Sequence, residues 1–197
     1  MKILLIDNYD SFTHNLALYF REQEEVELII LKNDEVQLTD LEAFDRFVIS
    51  PGPGLPEDSG IIIEVIKTIS GQKPILGICL GLQAIYEAFG GRLLNLPIVQ
   101  HGVTSVVRIL DVTDPLLNGI ENPFNAGRYH SWICDPAFQP KQLLITAEDQ
   151  EGNIMACRHR EHPTYGFQFH PESILTPEGK KMIKNFVEIK WPSIERG

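Results

Sequence analysis

The stretch PILGICLGLQAIYEAFGG, Pro74 to Gly91, decides how this chain is read. It starts as an apolar run of strand length and continues as LQAIYEAFGG, a helix that Gly90 and Gly91 close. Between them stands Gly77-Ile78-Cys79-Leu80-Gly81. A core strand has no need of a cysteine between two glycines. A tight strand-to-helix turn that leaves one side chain standing free does, because small residues permit strained angles and close backbone approach. Gly-x-nucleophile-x-Gly is the pattern of a nucleophile elbow. The helix that follows turns its N-terminus toward the sulfur, an end that favours a thiolate and offers unpaired N–H groups to a developing oxyanion. A free cysteine is more often a small buried hydrophobe. Here the flanking glycines and the strand–helix setting make Cys79 a candidate nucleophile.

Outward from this turn, the first half of the chain alternates strand and helix. KILLI (Lys2 to Ile6), VELIIL (Val26 to Leu31), RFVIS (Arg46 to Ser50) and PILGIC read as strands. DSFTHNLALYFREQ and SGIIIEVIKTIS read as helices; Phe12, Leu16, Tyr19 and Phe20 can share one core face, with Asp10 or Ser11 as the N-cap. This order predicts an α/β fold, a doubly wound, mostly parallel sheet with helices on both faces. The second half, with TSVVRIL, LLITAED, IMACRHR and YGFQFH, predicts a smaller antiparallel strand region. A final helix lies in PEGKKMIKNFVEI, with Pro177 near its start and Thr176 as cap. No linker interrupts the pattern, so residues 1–197 are expected to form a single domain.

Composition narrows the function. The chain has 197 residues, 43% apolar and 22% charged, enough for a sizeable core. A net charge of −10 argues against nucleic acid or an anionic membrane as a general partner. The apolar run Ile3 to Ile6 is too short for a signal peptide or a membrane span. Cys79, Cys134 and Cys157 are an odd number of cysteines, which predicts no disulfide framework and a reducing, cytoplasmic location.

A cysteine nucleophile needs a base, and the base an orienter. YGFQFHPES supplies both: Phe167 and Phe169 point to one side of an alternating strand, Gln168 and His170 to the other, and Pro171 ends it. In extended backbone His170 and Glu172 share a side, so the carboxylate can accept the imidazole N–H and fix its tautomer. The bland alternative is a surface His-Pro-Glu turn. ISPGPGLPED follows another sheet strand, and Gly52 and Gly54 free its backbone to bring N–H groups to a ligand, which makes it a second wall of the same crevice. Cys157, His159 and His162 lack a fourth ligand at zinc spacing, so no metal site is expected.

The segments PGPG, GICLGLQAI, HG-x-TS, RYHS and FQFHPESILT, in this order along nearly the whole chain, resemble the class I (triad) glutamine amidotransferases. LLIDNYDSFTHNL and HPESILTPEG resemble in particular the small subunits of anthranilate synthase and aminodeoxychorismate synthase. The resemblance implies Cys79 as nucleophile, His170 as acid/base and Glu172 as its orienter. It implies an oxyanion hole from the amides of Gly54 and Leu80. Gly52, Pro53, Gly54, Gln83 and the Ser131-Trp132 backbone would hold the amino-acid end of L-glutamine. It further implies, as partner, a larger synthase subunit that binds chorismate. Mg²⁺ would sit on that partner, with no cofactor in this chain.

Three positions depart from the family's frequent residues: Leu82 in place of histidine, Val103 in place of lysine, and Trp132 in place of leucine. Leu82 and Val103 would alter the pocket or the partner contact, whereas Trp132 would act through its backbone. The competing readings are an amidotransferase subunit feeding GMP or carbamoyl phosphate synthesis, a cysteine hydrolase or peptidase, and a degenerate paralogue that only binds a partner.

Overall fold

A computed structural model describes residues 1–191; the last six residues of the expected 1–197 domain lie outside the described residues. Eleven strands and four α-helices are found there. In chain order they are β1 (Lys2–Asp7), α1 (Thr13–Arg21), β2 (Glu27–Lys32), β3 (Arg46–Ile49), α2 (Ile62–Ile69), β4 (Ile75–Ile78) and α3 (Leu80–Ala88). Then come β5 (Leu93–Asn95), β6 (Val103–Ile109), β7 (Phe124–Arg128), β8 (Trp132–Cys134), β9 (Leu143–Asp149), β10 (Ile154–His159), β11 (Thr164–Phe167) and α4 (Gly179–Glu188).

Nine strands form one sheet in the order β2-β1-β3-β4-β11-β10-β9-β6-β7, and β5 pairs with β8 in a separate ribbon. The pairings from β2 through β11 are parallel, and those from β11 through β7 are antiparallel. The antiparallel strands of the second half therefore extend the parallel sheet. Alternation along each strand feeds two cores. On β1, Ile3 and Leu5 face α1 and α4, whereas Leu4 and Ile6 face α2 and α3. With the carboxyl ends of β1, β3, β4 and β11 on one side, the segments after them, Asn8, Ser50–Gly54, Cys79 and Gln168–His170, gather at one edge. Open α/β sheets place their sites at that edge.

Two helix starts differ from expectation. Neither Asp10 nor Ser11 caps α1 directly; the Asp10 carboxylate accepts the Phe12 N–H (2.7 Å) in a turn that precedes the helix. Thr176 does not cap α4, because its hydroxyl is engaged elsewhere: it accepts the Gly127 N–H (2.9 Å) and donates to the His170 carbonyl (2.7 Å). The strands β5, β7 and β8 carry too little apolar alternation to stand out in the sequence. Segments such as FNAGR are held by their neighbours' ladders instead.

Helix α3 lies unusually close to the sheet because Gly77 and Gly166 are register neighbours on β4 and β11. A Cβ on Gly77 would come within 2.4 Å of the Gly81 carbonyl carbon, and one on Gly166 within 2.4 Å of Leu82 Cδ1. Backbone thus packs on backbone, and the start of α3 is pinned directly above the end of β4. Gly77→Ala is expected to destabilise the fold by about 1–3 kcal/mol through overpacking, read as a lower urea midpoint at unchanged slope. An unchanged midpoint would mean that α3 can lift without cost.

Candidate active site

Cys79 joins β4 to α3 with φ 53° and ψ −102°, a positive-φ conformation that a non-glycine residue adopts at a cost of about 1–3 kcal/mol. Its N–H donates to the Phe167 carbonyl (2.7 Å), and its own carbonyl accepts the Gln83 N–H (3.1 Å) to open the helix. Sheet and helix together over-determine the turn. The residue is 6% exposed. Cys134 and Cys157 are buried free thiols in the core against α2 and α3, and burial pushes the pKa of both upward.

His170 arrives from the far end of the chain on the extension of β11. Phe167 and Phe169 stack in the core (4.8 Å between ring centroids), which turns Gln168 and His170 to the opposite side. The His170 backbone N–H donates to the Gly127 carbonyl (3.0 Å), and Thr176 ties down the His170 carbonyl. Nδ1 lies 2.7 Å from Glu172 Oε1, and both residues are buried. Nε2 and Glu172 Oε2 have no hydrogen-bond partner. The loop that carries the pair is wedged against the start of α4: a Cβ on Gly179 would fall 1.8 Å from the Pro171 carbonyl oxygen.

The imidazole edge is packed between two aromatic rings, Phe12 (5.7 Å) and Tyr129 (5.0 Å), and the Tyr129 hydroxyl is hydrogen-bonded to Ser173 Oγ (3.0 Å). Phe12 therefore leaves the core face expected for it and serves the site. The segment Arg128–Ser131 is held by buried charge: Arg128 donates to Asp149 Oδ2 (2.7 Å) and to His130 Nε2 (3.1 Å). Burial, followed by the charges of Arg128 and His170, lowers the pKa of His130 to about 3, so this second imidazole stays neutral. Burial also works to lower the pKa of His170. Interaction with the Cys79 sulfur, together with the hydrogen bond and charge of Glu172, outweighs it, and the net shift is upward.

The second wall is braced by Asn8. Its backbone N–H donates to Ser50 Oγ (2.9 Å), and its side-chain amide donates to the Ser50 carbonyl (2.9 Å). A Cβ on Gly52 would strike Asn8 Cβ (2.5 Å) and Leu80 Cδ2 (2.7 Å), so Gly52 presses the loop onto the elbow. Pro53 and Gly54 form the exposed tip, where Gly54 adopts φ 77° with open space around it. Gln83, one turn into α3, donates to the Trp132 carbonyl (2.8 Å); Ser131, just before β8, accepts the Leu96 N–H (2.7 Å). Cys79, His170, Glu172, Leu80, Gln83, Gly52 and Trp132 are thus linked through contacts, while Pro53, Gly54 and Ser131 rim the group.

Among the described residues, no three His, Cys, Asp or Glu side chains converge as a metal-binding group, and no helix is long and apolar enough to cross a membrane. His159 and His162 stack on each other at 3.9 Å.

Residues 4–189 match the family model described as glutamine amidotransferase class-I. The chain belongs to this family. It is 45% identical over 188 residues to the aminodeoxychorismate/anthranilate synthase component 2 of Bacillus subtilis, covering 94% of this chain and 95% of that one. It is also 45% identical over 192 residues, 96% of its own length, to the bifunctional protein TrpGD of Thermotoga maritima, of which it spans only 32%. Among solved structures, a Thermoplasma acidophilum protein assigned to GMP synthase superposes with a TM-score of 0.84 at 25% identity, over 95% of this chain and 92% of that one.

Within this amidotransferase the three departures have distinct settings. Leu82 is fully buried and faces the sheet across Gly166, so it fills core and not the pocket. Val103 is exposed on β6. Trp132 engages Gln83 through its carbonyl.

Because folding raises the His170 pKa, its contribution to stability is present in full below the ordinary histidine value near 6.5 and is lost as pH climbs through the raised value. Carbon-13 NMR of labelled histidine should find His170 still protonated above that ordinary value. Glu172→Gln should bring the midpoint down, and an unmoved midpoint would remove Glu172 as its cause.

Proposed function

We propose that this amidotransferase is the glutaminase component of a chorismate-aminating synthase. It hydrolyses L-glutamine and passes the ammonia to a larger chorismate-binding subunit that forms anthranilate, 4-amino-4-deoxychorismate or both. One observation carries the chemistry: a cysteine on a strained elbow interacts with a buried histidine whose other nitrogen is held by a carboxylate.

The thiolate of Cys79 attacks the amide carbon of the glutamine side chain, and the N–H groups of Gly54 and Leu80 hold the resulting oxyanion. The tetrahedral adduct breaks its C–N bond as His170 gives a proton to the departing nitrogen, leaving a γ-glutamyl thioester and ammonia. His170 then takes a proton from water, whose oxygen attacks the thioester; glutamate leaves and the sulfur is restored. Glu172 keeps the imidazole oriented throughout. Gly52, Pro53, Gly54, Gln83 and the Ser131-Trp132 backbone hold the amino-acid end of the substrate. Mg²⁺ belongs to the chorismate-binding partner, and the complex works in the cytoplasm.

The component 2 relatives at about 45% identity support this pathway over GMP synthesis, for which the likeness is 25%. Apolar side chains near the site support a docking partner. Ile174, two residues beyond Glu172, is 92% exposed. Ile98 and Val99 are exposed on a loop that Leu96 and Gln100 hydrogen-bond to Ser131 and His130.

With the synthase subunit, chorismate and glutamine, Cys79→Ser should abolish glutamine-dependent amination while ammonia-dependent amination persists. His170→Asn should lower the glutamine-dependent rate at least ~100-fold. Glutamine hydrolysis by Cys79→Ser at the parent rate would refute the mechanism. Ile174→Glu should weaken binding to the synthase subunit roughly tenfold or more at unchanged melting temperature of the lone chain. Unaltered binding would move the interface elsewhere.

A further inference from the structure

Gln168 has no part in the steps above, yet it is completely buried and its amide nitrogen lies 3.6 Å from the Cys79 sulfur. The order of hydrogen bonds around it fixes which end of the amide faces the sulfur. The Trp132 carbonyl can only accept, so Gln83 must present its NH₂ there, at 2.8 Å. The same NH₂ meets Gln168 Oε1 at 3.3 Å. With its oxygen committed to Gln83, Gln168 has only its NH₂ to offer the sulfur. Gln83 is carried by the helix that Cys79 opens, and the Gln168 backbone N–H is anchored to the Met155 carbonyl on β10 (2.9 Å). The chain of donors is therefore built on rigid elements.

We infer that Gln168 is a positioning residue for the nucleophile, held by Gln83 so that its amide N–H is directed at the Cys79 sulfur and stabilises it as a thiolate. The inference rests on the proposed role of Cys79. The titratable groups around the Cys79–His170 pair are Glu172 on the loop after β11, Asp10 ahead of α1, Tyr129 and His130 between β7 and β8, and Cys134 on β8. Gln168 differs from all of them because it supplies a donor that does not titrate. A hydrogen bond to the charged form favours that form, and a charge-assisted bond is the stronger kind. Gln168 thus holds the sulfur from one side while His170 remains free to carry protons on the other.

The test is the pH dependence of Cys79 alkylation by iodoacetamide in the full chain, read by mass spectrometry of the Cys79 peptide. Gln168→Glu and Gln168→Met keep approximate size and remove the donor. Each is expected to raise the midpoint of the pH–rate profile by about one unit, a roughly tenfold slower reaction at a fixed pH below it. Gln83→Met leaves Gln168 in place but frees its amide to turn, and should move the midpoint the same way. A midpoint within about 0.3 unit of the parent in a folded Gln168 variant overturns the inference, even if activity falls. If both Gln168 variants fail to fold, the Gln83→Met profile decides, and an unmoved midpoint there overturns it. Cys79→Ser separates the two levels. Retained glutamine hydrolysis would sink the proposed function itself, whereas a required, reactive Cys79 with unmoved variant midpoints would sink only the role of Gln168.

Discussion

Contact between the bare backbones of Gly77 and Gly81 governs the geometry of this protein. With no side chain at Gly77 or Gly81, and with Leu82 seated over Gly166, the first turn of the helix begins directly over the end of β4. The residue between them must reverse the chain within one peptide. Cys79 takes that position with φ 53°, and hydrogen bonds from sheet and helix keep it there. The strain is useful because it lifts the sulfur out of both elements and aims it at the edge where the parallel strands end.

The rest of the site is arranged to meet that sulfur from another direction. β11 lies beside β4, so the segment that leaves it passes within reach of the elbow. Alternation sends Phe167 and Phe169 into the core and turns Gln168 and His170 toward Cys79. Gly127, Thr176 and the start of α4 then fix the backbone of the loop from His170 to Glu172, and Phe12 and Tyr129 fix the ring. A buried imidazole with one nitrogen paired to a carboxylate and the other without a hydrogen bond suits a group that must exchange protons with a substrate.

Much of this was legible in the chain. The alternation of apolar runs and helical spacing in residues 2–91 specifies the parallel half, because strands buried on both faces must be apolar throughout. The elbow was readable for a local reason: only glycine tolerates such contact, so Gly77 and Gly81 announce it. His170 and Glu172 were readable through period-two alternation and the break at Pro171. What stayed hidden depends on distant contacts. Phe12 looks like any core aromatic of an amphipathic helix until Tyr129 and His170 are seen beside it. Thr176 resembles a cap until Gly127 arrives from 49 residues away. Gln168 shows only its side of the strand, and its direction of donation follows from Gln83 and Trp132, which no local pattern connects to it. β5, β7 and β8 are defined by their partners more than by their own residues.

The central claim is that the sulfur on this elbow, and neither of the other two thiols, attacks the glutamine side chain. Intact-mass and peptide mapping after exposure to a diazoketone analogue of glutamine tests it most directly. The account predicts a single adduct on Cys79, formed more slowly when excess glutamine is present. An adduct on Cys134 or Cys157, or labelling of Cys79 that glutamine does not slow, would contradict it.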